Sequence, residues 1–89
     1  MKRALVTGGS GGIGAAICRR LAADDRHVYV HANSRLNEAE KIASDIKKGG
    51  GSAAAVAFDV TDRVRTEAAL QEMLDQGPIQ IVVNNAGIH

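Results

Sequence analysis

The chain has 89 residues, a formal net charge of +1, 45% apolar residues, only 2% aromatics and a single cysteine. That length suits one small domain, which buries about 60–65% of the surface exposed by its unfolded chain, and the shortage of aromatics leaves Ala, Val, Ile and Leu to build the core. Scattered charge excludes the electrostatic footprint of a nucleic-acid or anionic-membrane partner, no window approaches a membrane span, and the lone Cys18 cannot close an internal disulfide.

Met1-Lys2-Arg3 leads directly into a short apolar run without the long apolar segment of a secretory leader, so the expected location is the cytoplasm. Arg3 to Thr7 is the first strand candidate; Ala4-Leu5-Val6 is continuously apolar, as in a parallel sheet covered on both faces. Thr7-Gly8-Gly9-Ser10-Gly11-Gly12-Ile13-Gly14 follows and reads as a loop that holds phosphate. A turn from a buried strand into a helix leaves the first helical N–H groups unpaired, and the helix dipole adds positive potential there. Glycine permits positive φ and lets a pyrophosphate approach the backbone.

Surplus glycine lets this loop satisfy several patterns at once. Gly9 to Gly14 fits G-x-G-x-x-G. Thr7 with Gly8, Gly12 and Gly14 fits T-G-x-x-x-G-x-G, and with Gly8, Gly11 and Gly14 fits T-G-x-x-G-x-x-G. An ATPase P-loop is excluded, because Ala15-Ala16 rather than Lys and then Ser or Thr follow Gly14. A plain glycine-rich turn is the alternative.

Ile13, Ala16, Ile17 and Leu21 recur at helical spacing with Arg19 and Arg20 outside, which predicts a first helix stopping near Asp24-Asp25. Cys18, among Ala15, Ile17, Leu21 and Ala22, reads as a buried, inert thiol. His27 to Ala32 is the second strand. Leu36, Ala39, Ile42, Ala43 and Ile46 form the stripe of a second helix that Gly49-Gly50-Gly51 ends. Ala53 to Phe58 is the third strand, and Asp59-Val60-Thr61-Asp62 leads into a third helix with apolar positions Val64, Ala68, Leu70, Met73 and Leu74. Thr61 or Asp62 is its natural N-cap. Gly77-Pro78 breaks that helix, and Ile79 to Val83 is a fourth strand running into Asn84-Asn85-Ala86-Gly87. The βαβαβαβ alternation predicts an α/β fold, a doubly wound parallel sheet with right-handed crossovers.

If the glycine loop holds a pyrophosphate, the adenosine ribose lies near the end of the second strand, where NAD-selective domains place an Asp or Glu. That end reads Val30-His31-Ala32-Asn33-Ser34-Arg35 and carries no acid. Asn33 and Ser34 can donate hydrogen bonds to a ribose 2′-phosphate and Arg35 can pair with it, so the expected cofactor is NADP(H). Arg35 as a solvated first-turn residue is the alternative, although a cation at a helix N-terminus opposes the dipole unless an anion sits beside it. His31, a strand-end histidine, receives no role, and neither His27 nor His89 belongs to a metal-ligand pattern.

Thr7-Gly8-x-x-x-Gly12-x-Gly14, Asp59-Val60 after the third strand and Asn84-Asn85-Ala86-Gly87 after the fourth together resemble the short-chain dehydrogenase/reductases of classical type. Within that family the chain looks most like the bacterial 3-oxoacyl-[acyl-carrier-protein] reductases, and the resemblance covers residues 1–89. It implies a partial Rossmann-like sheet of order 3-2-1-4 and makes the chain the NADP(H)-binding half of a reductase domain. By the same resemblance Gly8, Ser10, Gly11, Gly12, Ile13 and Gly14 surround the pyrophosphate. Many NADP-dependent relatives carry Arg where Gly11 stands, which shifts reading of the 2′-phosphate to Asn33, Ser34 and Arg35. Asp59 would accept from the adenine amino group and Val60 would pack on or bond the base; a turn residue capping the third helix is the alternative for Asp59. Asn85, Ala86 and Gly87 would run past the cofactor ribose, with Asn84 and Asn85 tying the fourth strand to its neighbours.

In that family a Ser, a Tyr and a Lys complete the hydride-transfer site downstream of the Asn-Asn-Ala-Gly segment. The sole tyrosine, Tyr29, lies inside the second strand and cannot be that general acid, so no catalytic residue is assigned and the chain alone is expected to be inactive. The expectation is the cofactor-binding part of an NADPH-dependent reductase acting on a 3-oxoacyl thioester in fatty-acid synthesis. Another NADP-dependent alcohol or ketone dehydrogenase is the alternative within the family, and a non-catalytic, self-assembling nucleotide-binding module the alternative outside it. The apolar edge Ile79 to Val83 further predicts a homo-oligomer joined along the fourth strand.

Overall fold

The computed structural model describes residues 1–85, which form seven elements. In chain order they are β1 (Arg3–Thr7), α1 (Gly12–Ala23), β2 (His27–Ala32), α2 (Leu36–Lys48), β3 (Ser52–Ala57), α3 (Arg63–Asp75) and β4 (Ile81–Asn84). The strands make one parallel sheet of order β3-β2-β1-β4, in which Val6 is level with Val30 on one side and Val83 on the other. The order in which strands are added reverses at β1, from β1-β2-β3 on one side to β4 on the other, and this switch point leaves a crevice at the carboxyl ends of β1 and β4, where open α/β sheets bind ligands.

Side chains alternate across the sheet and feed two cores. Val6, Val28, Val30 and Ala32 meet Cys18 of α1 and Ala39, Ala43 and Ile46 of α2 on one face. Leu5, Tyr29 and Phe58 meet Met73 of α3 on the other. Small residues on the first face allow both helices to lie close to the strands. On the second face Arg3 stacks over Tyr29, 5.0 Å from the ring centroid, and donates to the Met73 and Gly77 carbonyls at 3.1 and 2.9 Å. A cation thus closes the C-terminal end of α3, where the dipole favours it.

Several boundaries and faces differ from the sequence expectation. The third strand runs Ser52–Ala57 rather than Ala53 to Phe58, because the chain turns at Phe58, whose N–H still reaches the Ala32 carbonyl at 3.2 Å. The fourth is Ile81–Asn84 rather than Ile79 to Val83: the Gly77-Pro78 turn delays the ladder, and Ile79 packs beneath the sheet instead. Helix α1 buries Gly14, Ala15 and Cys18 and leaves Ile13 66% exposed, so its sheet-facing stripe is the small-residue one and not the Ile13-Ala16 one. Helix α3 turns Ala69, Leu70 and Met73 to the sheet and leaves Val64 78% exposed, with Ala68 and Leu74 also outward.

Of the two predicted caps for α3, Asp62 takes the role, accepting from the Arg65 N–H at 3.1 Å, while Thr61 bonds back to Asp59. Replacing Asp62 by Ala is expected to lower stability by about 1 kcal/mol in urea unfolding, the usual cost of a lost N-cap.

Candidate functional site

The loop between β1 and α1 is held by β2 and β4. Gly8 takes φ 66°, a left-handed conformation that glycine adopts without strain. Its N–H donates to His31 Nδ1 at 3.0 Å, and its carbonyl accepts from Asn85 Nδ2 at 3.2 Å. The Gly9 N–H donates to the His31 carbonyl at 2.8 Å, and the Ala15 N–H closes the first turn on the Gly11 carbonyl at 2.6 Å. The N–H groups of Ser10, Gly12, Ile13 and Gly14 find no protein acceptor among the described residues, and the first turn of α1 holds no acid. Four converging donors at an uncompensated helix N-terminus are what an anionic diphosphate ester needs.

The space around these groups also fits a phosphate. A Cβ on Gly12 would meet nothing within 4 Å, and one on Gly11 only the Gly8 carbonyl at 3.7 Å, so this rim is open. A Cβ on Gly14 would overlap the Gly8 carbonyl oxygen and approach Asn85 Nδ2 to 2.8 Å. Gly14 therefore lets helix and loop touch, while Gly11 and Gly12 face open space. The end of β4 is knotted to the loop as the sequence led one to expect: Thr7 Oγ1 accepts from the Asn85 N–H at 2.9 Å and lies 3.3 Å from both Asn84 Oδ1 and the Val83 carbonyl. Ala86 and Gly87 lie outside the described residues.

On the adenosine side, the structure divides the predicted residues into two groups. Asn33 Oδ1 accepts from the Val60 N–H at 3.1 Å, so Asn33 links the ends of β2 and β3, and the Val60 N–H is not open to a base. Asp59 Oδ1 accepts from the Thr61 N–H and hydroxyl at 2.9 and 2.7 Å; the Thr61 hydroxyl, then its N–H, hold the carboxyl below the usual carboxylate range. Asp59 is thus a turn residue ahead of α3 that stays ionised, with its second oxygen turned to neither Thr61 donor. Ser34 and Arg35 stand exposed at the start of α2, and Arg35 pairs with Glu38 at 3.3 Å. Glu38 is a carboxylate the sequence reading did not count near this end. An exposed pair of this kind contributes at most about 1 kcal/mol, so an arriving phosphate can displace it.

His31, to which no role was given, is fully buried and central. A peptide N–H can only donate, so Nδ1 is an unprotonated acceptor from Gly8. A carbonyl can only accept, so Nε2 carries the proton and donates to Phe58 at 2.7 Å. The available signal was its place within the apolar run Val28 to Ala32, since a polar group in a covered strand needs partners for both nitrogens.

Tyr29, by contrast, is buried against α3, with its hydroxyl on Gln76 Oε1 at 3.2 Å, away from the loop. Cys18 is likewise buried, and burial pushes its thiol up to about 11, which makes it inert.

Two glycine substitutions separate these roles. Gly14→Ala is expected to cost about 1–3 kcal/mol in chemical denaturation, as overpacking does, and to abolish nucleotide binding. Gly12→Ala, in open space with ordinary helical backbone, is expected to raise stability by about 0.4–1 kcal/mol while weakening binding, since its methyl group stands where a phosphate would approach.

Comparison with known proteins agrees with this geometry. The family profile described as short chain dehydrogenase matches residues 2–89. An uncharacterized oxidoreductase of Bacillus subtilis is 49% identical over 98% of this chain and 13% of its own length. The 3-oxoacyl-[acyl-carrier-protein] reductase of Staphylococcus aureus is 38% identical over 98% of this chain and 36% of its own. A double mutant of a Serratia marcescens short-chain dehydrogenase/reductase superposes with a TM-score of 0.90 at 37% identity, over 99% of this chain and 36% of that one. The chain therefore spans about a third or less of these relatives. Enzymes of the family bind a nicotinamide dinucleotide, NAD(H) or NADP(H). With the glycine loop, the Rossmann-like strand order and the asparagine-tied end of β4 in place, the chain belongs to the short-chain dehydrogenase/reductase family.

Proposed function

We propose that this chain is the adenosine and pyrophosphate half of an NADP(H) site in a short-chain reductase. The observation that carries the reading is the set of unpaired N–H groups at Ser10, Gly12, Ile13 and Gly14, framed by a Gly8 whose own N–H and carbonyl are already held. Ser34 and Arg35 at the start of α2 would take the 2′-phosphate, the preference of NADP(H) over NAD(H) resting on them. Asp59, Val60, Asn85, Ala86 and Gly87 would border the adenine and ribose. When bound, the nicotinamide supplies a hydride for reduction of a ketone to an alcohol. This chain's own residues bind and orient the other end of the cofactor.

For the complete enzyme we favour a 3-oxoacyl thioester as substrate and cytoplasmic fatty-acid synthesis as setting. The likeness to the Staphylococcus aureus reductase and to a Sinorhizobium meliloti 3-ketoacyl-ACP reductase, 34% identical with a TM-score of 0.84, supports it. Another NADP-dependent alcohol or ketone dehydrogenase is the neighbouring reading within the family. A second reading, self-assembly along β4, has one observation in its favour: β4 is an edge strand, and Val82 on it is 63% exposed. Bare apolar edges invite pairing with a second copy. Sedimentation is expected to give a dimer or larger species, and a clean monomer would remove this reading.

Calorimetric titration with 2′,5′-ADP and with 5′-AMP tests the cofactor assignment. The 2′-phosphorylated nucleotide is expected to bind about tenfold more tightly, Arg35→Ala to abolish the difference, and Glu38→Gln to enlarge it by freeing the guanidinium. Equal affinities in the unaltered chain would exclude the NADP(H) preference. The 89-residue chain with NADPH and an acetoacetyl thioester is expected to show no turnover, since Tyr29 is buried away from the loop.

A further inference from the structure

The imidazole of His31 joins the two walls of the site. Through Nδ1 it fixes Gly8 of the phosphate loop, and through Nε2 it fixes the Phe58 carbonyl, immediately before Asp59 and Val60. Its main-chain carbonyl also holds the Gly9 N–H. We propose that His31 is a positioning residue for dinucleotide binding: its neutral imidazole sets the phosphate loop against the adenine wall, and nucleotide affinity falls when that imidazole takes up a proton. The inference rests on the reading that this loop holds a pyrophosphate.

The geometry dictates the direction. A second proton has only Nδ1 to occupy, and there it would face the Gly8 N–H at 3.0 Å, donor against donor. The Gly8 N–H must then turn away, which moves a residue whose carbonyl anchors Asn85 and whose neighbours present the free amides. No charged side chain offsets the cost. On the same sheet face, Tyr29 bonds Gln76, Arg3 stacks over Tyr29, and His27 lies against Ser52 at 2.6 Å. From the turn after β3, the Phe58 ring lies 4.2 Å away, centroid to centroid, and the Asp59 carboxylate is turned to Thr61. From α3, Asp62 caps its own helix, Arg63 pairs with Glu67, and Asp75 bonds Gln71. On the other face of the sheet, the core holds the buried, neutral Cys18.

Burial, partly offset by the bond to Phe58, lowers the His31 pKa below the ordinary 6.5. The folded chain therefore takes up this proton less readily than the unfolded one; the stability tied to it is complete above about pH 6.5 and is lost as the pH falls. His27 is also lowered, by burial first and then by Arg3 and Lys47, and adds to acid destabilisation from the far end of β2.

ADP-ribose is the suitable probe, because it carries the pyrophosphate without a 2′-phosphate monoester, which itself titrates near about pH 6. Calorimetry on the whole chain is expected to show ADP-ribose binding weaken several-fold between about pH 7.5 and 5, approaching the roughly tenfold that one unit of pKa difference between free and bound protein gives once the pH lies below both values. His31→Asn, whose amide oxygen can still accept from Gly8, is expected to bind at pH 7.5 and to lose the pH dependence. His31→Gln, which reaches Phe58 but not Gly8, is expected to bind at least about tenfold more weakly at every pH. His27→Asn is expected to keep the unaltered profile.

Imidazole nitrogen NMR needs no variant, and is expected to report a bare Nδ1 and a protonated Nε2 that persist below pH 6.5. The inference is overturned by the opposite tautomer, by pH-independent affinity in the unaltered chain, or by equal binding in the Asn and Gln variants. Binding that is absent at every pH would instead overturn the pyrophosphate reading, and this one with it.

Discussion

Gly8 has both its N–H and its carbonyl held by side chains from the two strands flanking β1: His31 on β2 and Asn85 just beyond β4. Without the His31 bond the partly buried Gly8 N–H would be unmatched, at a cost of about 1–3 kcal/mol, and the carbonyl is doubly held, by Asn85 and by the Gly11 N–H at 3.3 Å. Together they fix where β1 ends and how the loop turns back into α1. The Gly9 N–H is held by the His31 carbonyl and the Gly11 N–H by the Gly8 carbonyl, which leaves the amides of Ser10, Gly12, Ile13 and Gly14 without a protein acceptor among the described residues.

That constraint is transmitted through a sheet with few large side chains. Parallel pairing of Val6 with Val30 and Val83 aligns the ends of three strands at one level, so that side chains from β2 and β4 can reach the same loop. Gly14, Ala15 and Cys18 allow α1 to approach the sheet closely beneath the loop. On the opposite face the Phe58 ring covers His31 and excludes water from it. Asn33 completes the frame by joining the ends of β2 and β3 through the Val60 N–H. The glycine loop and the turn after β3 are thus separate segments that His31 of β2 holds together, with Asn85 and Asn33 as further ties.

Much of this was legible in the sequence, for physical reasons. Covered parallel strands need unbroken apolar runs, and Ala4 to Val6 and Val28 to Val30 are such runs. The glycine loop and the asparagines after β4 announced where the carboxyl ends of β1 and β4 are tied together. The stripes of α1 and α3 are legible only in part: Ile17, Leu21, Leu70 and Met73 pack inward as their spacing predicts, whereas Ile13, Val64 and Leu74 face out. The sheet accepts small residues from α1, and the inward turn of α3 is set by Ala69, Leu70 and Met73. The sequence shows Asn33 as an exposed polar residue after a strand but not the bond its Oδ1 accepts from the Val60 N–H, which spans 27 positions. His31 was passed over for a similar reason, since its partners at Gly8 and Phe58 are distant in sequence and adjacent only once the strands pair.

The central claim is that the amides of Ser10, Gly12, Ile13 and Gly14 are the phosphate-binding groups of this chain. Backbone amide NMR during titration with an adenine dinucleotide reads those groups one at a time. The account predicts that their resonances shift most, with smaller changes at Ser34, Arg35 and Asp59. Shifts confined to the exposed apolar side of α1 around Ile13 and Ile17, or none in the loop at saturation, would contradict it.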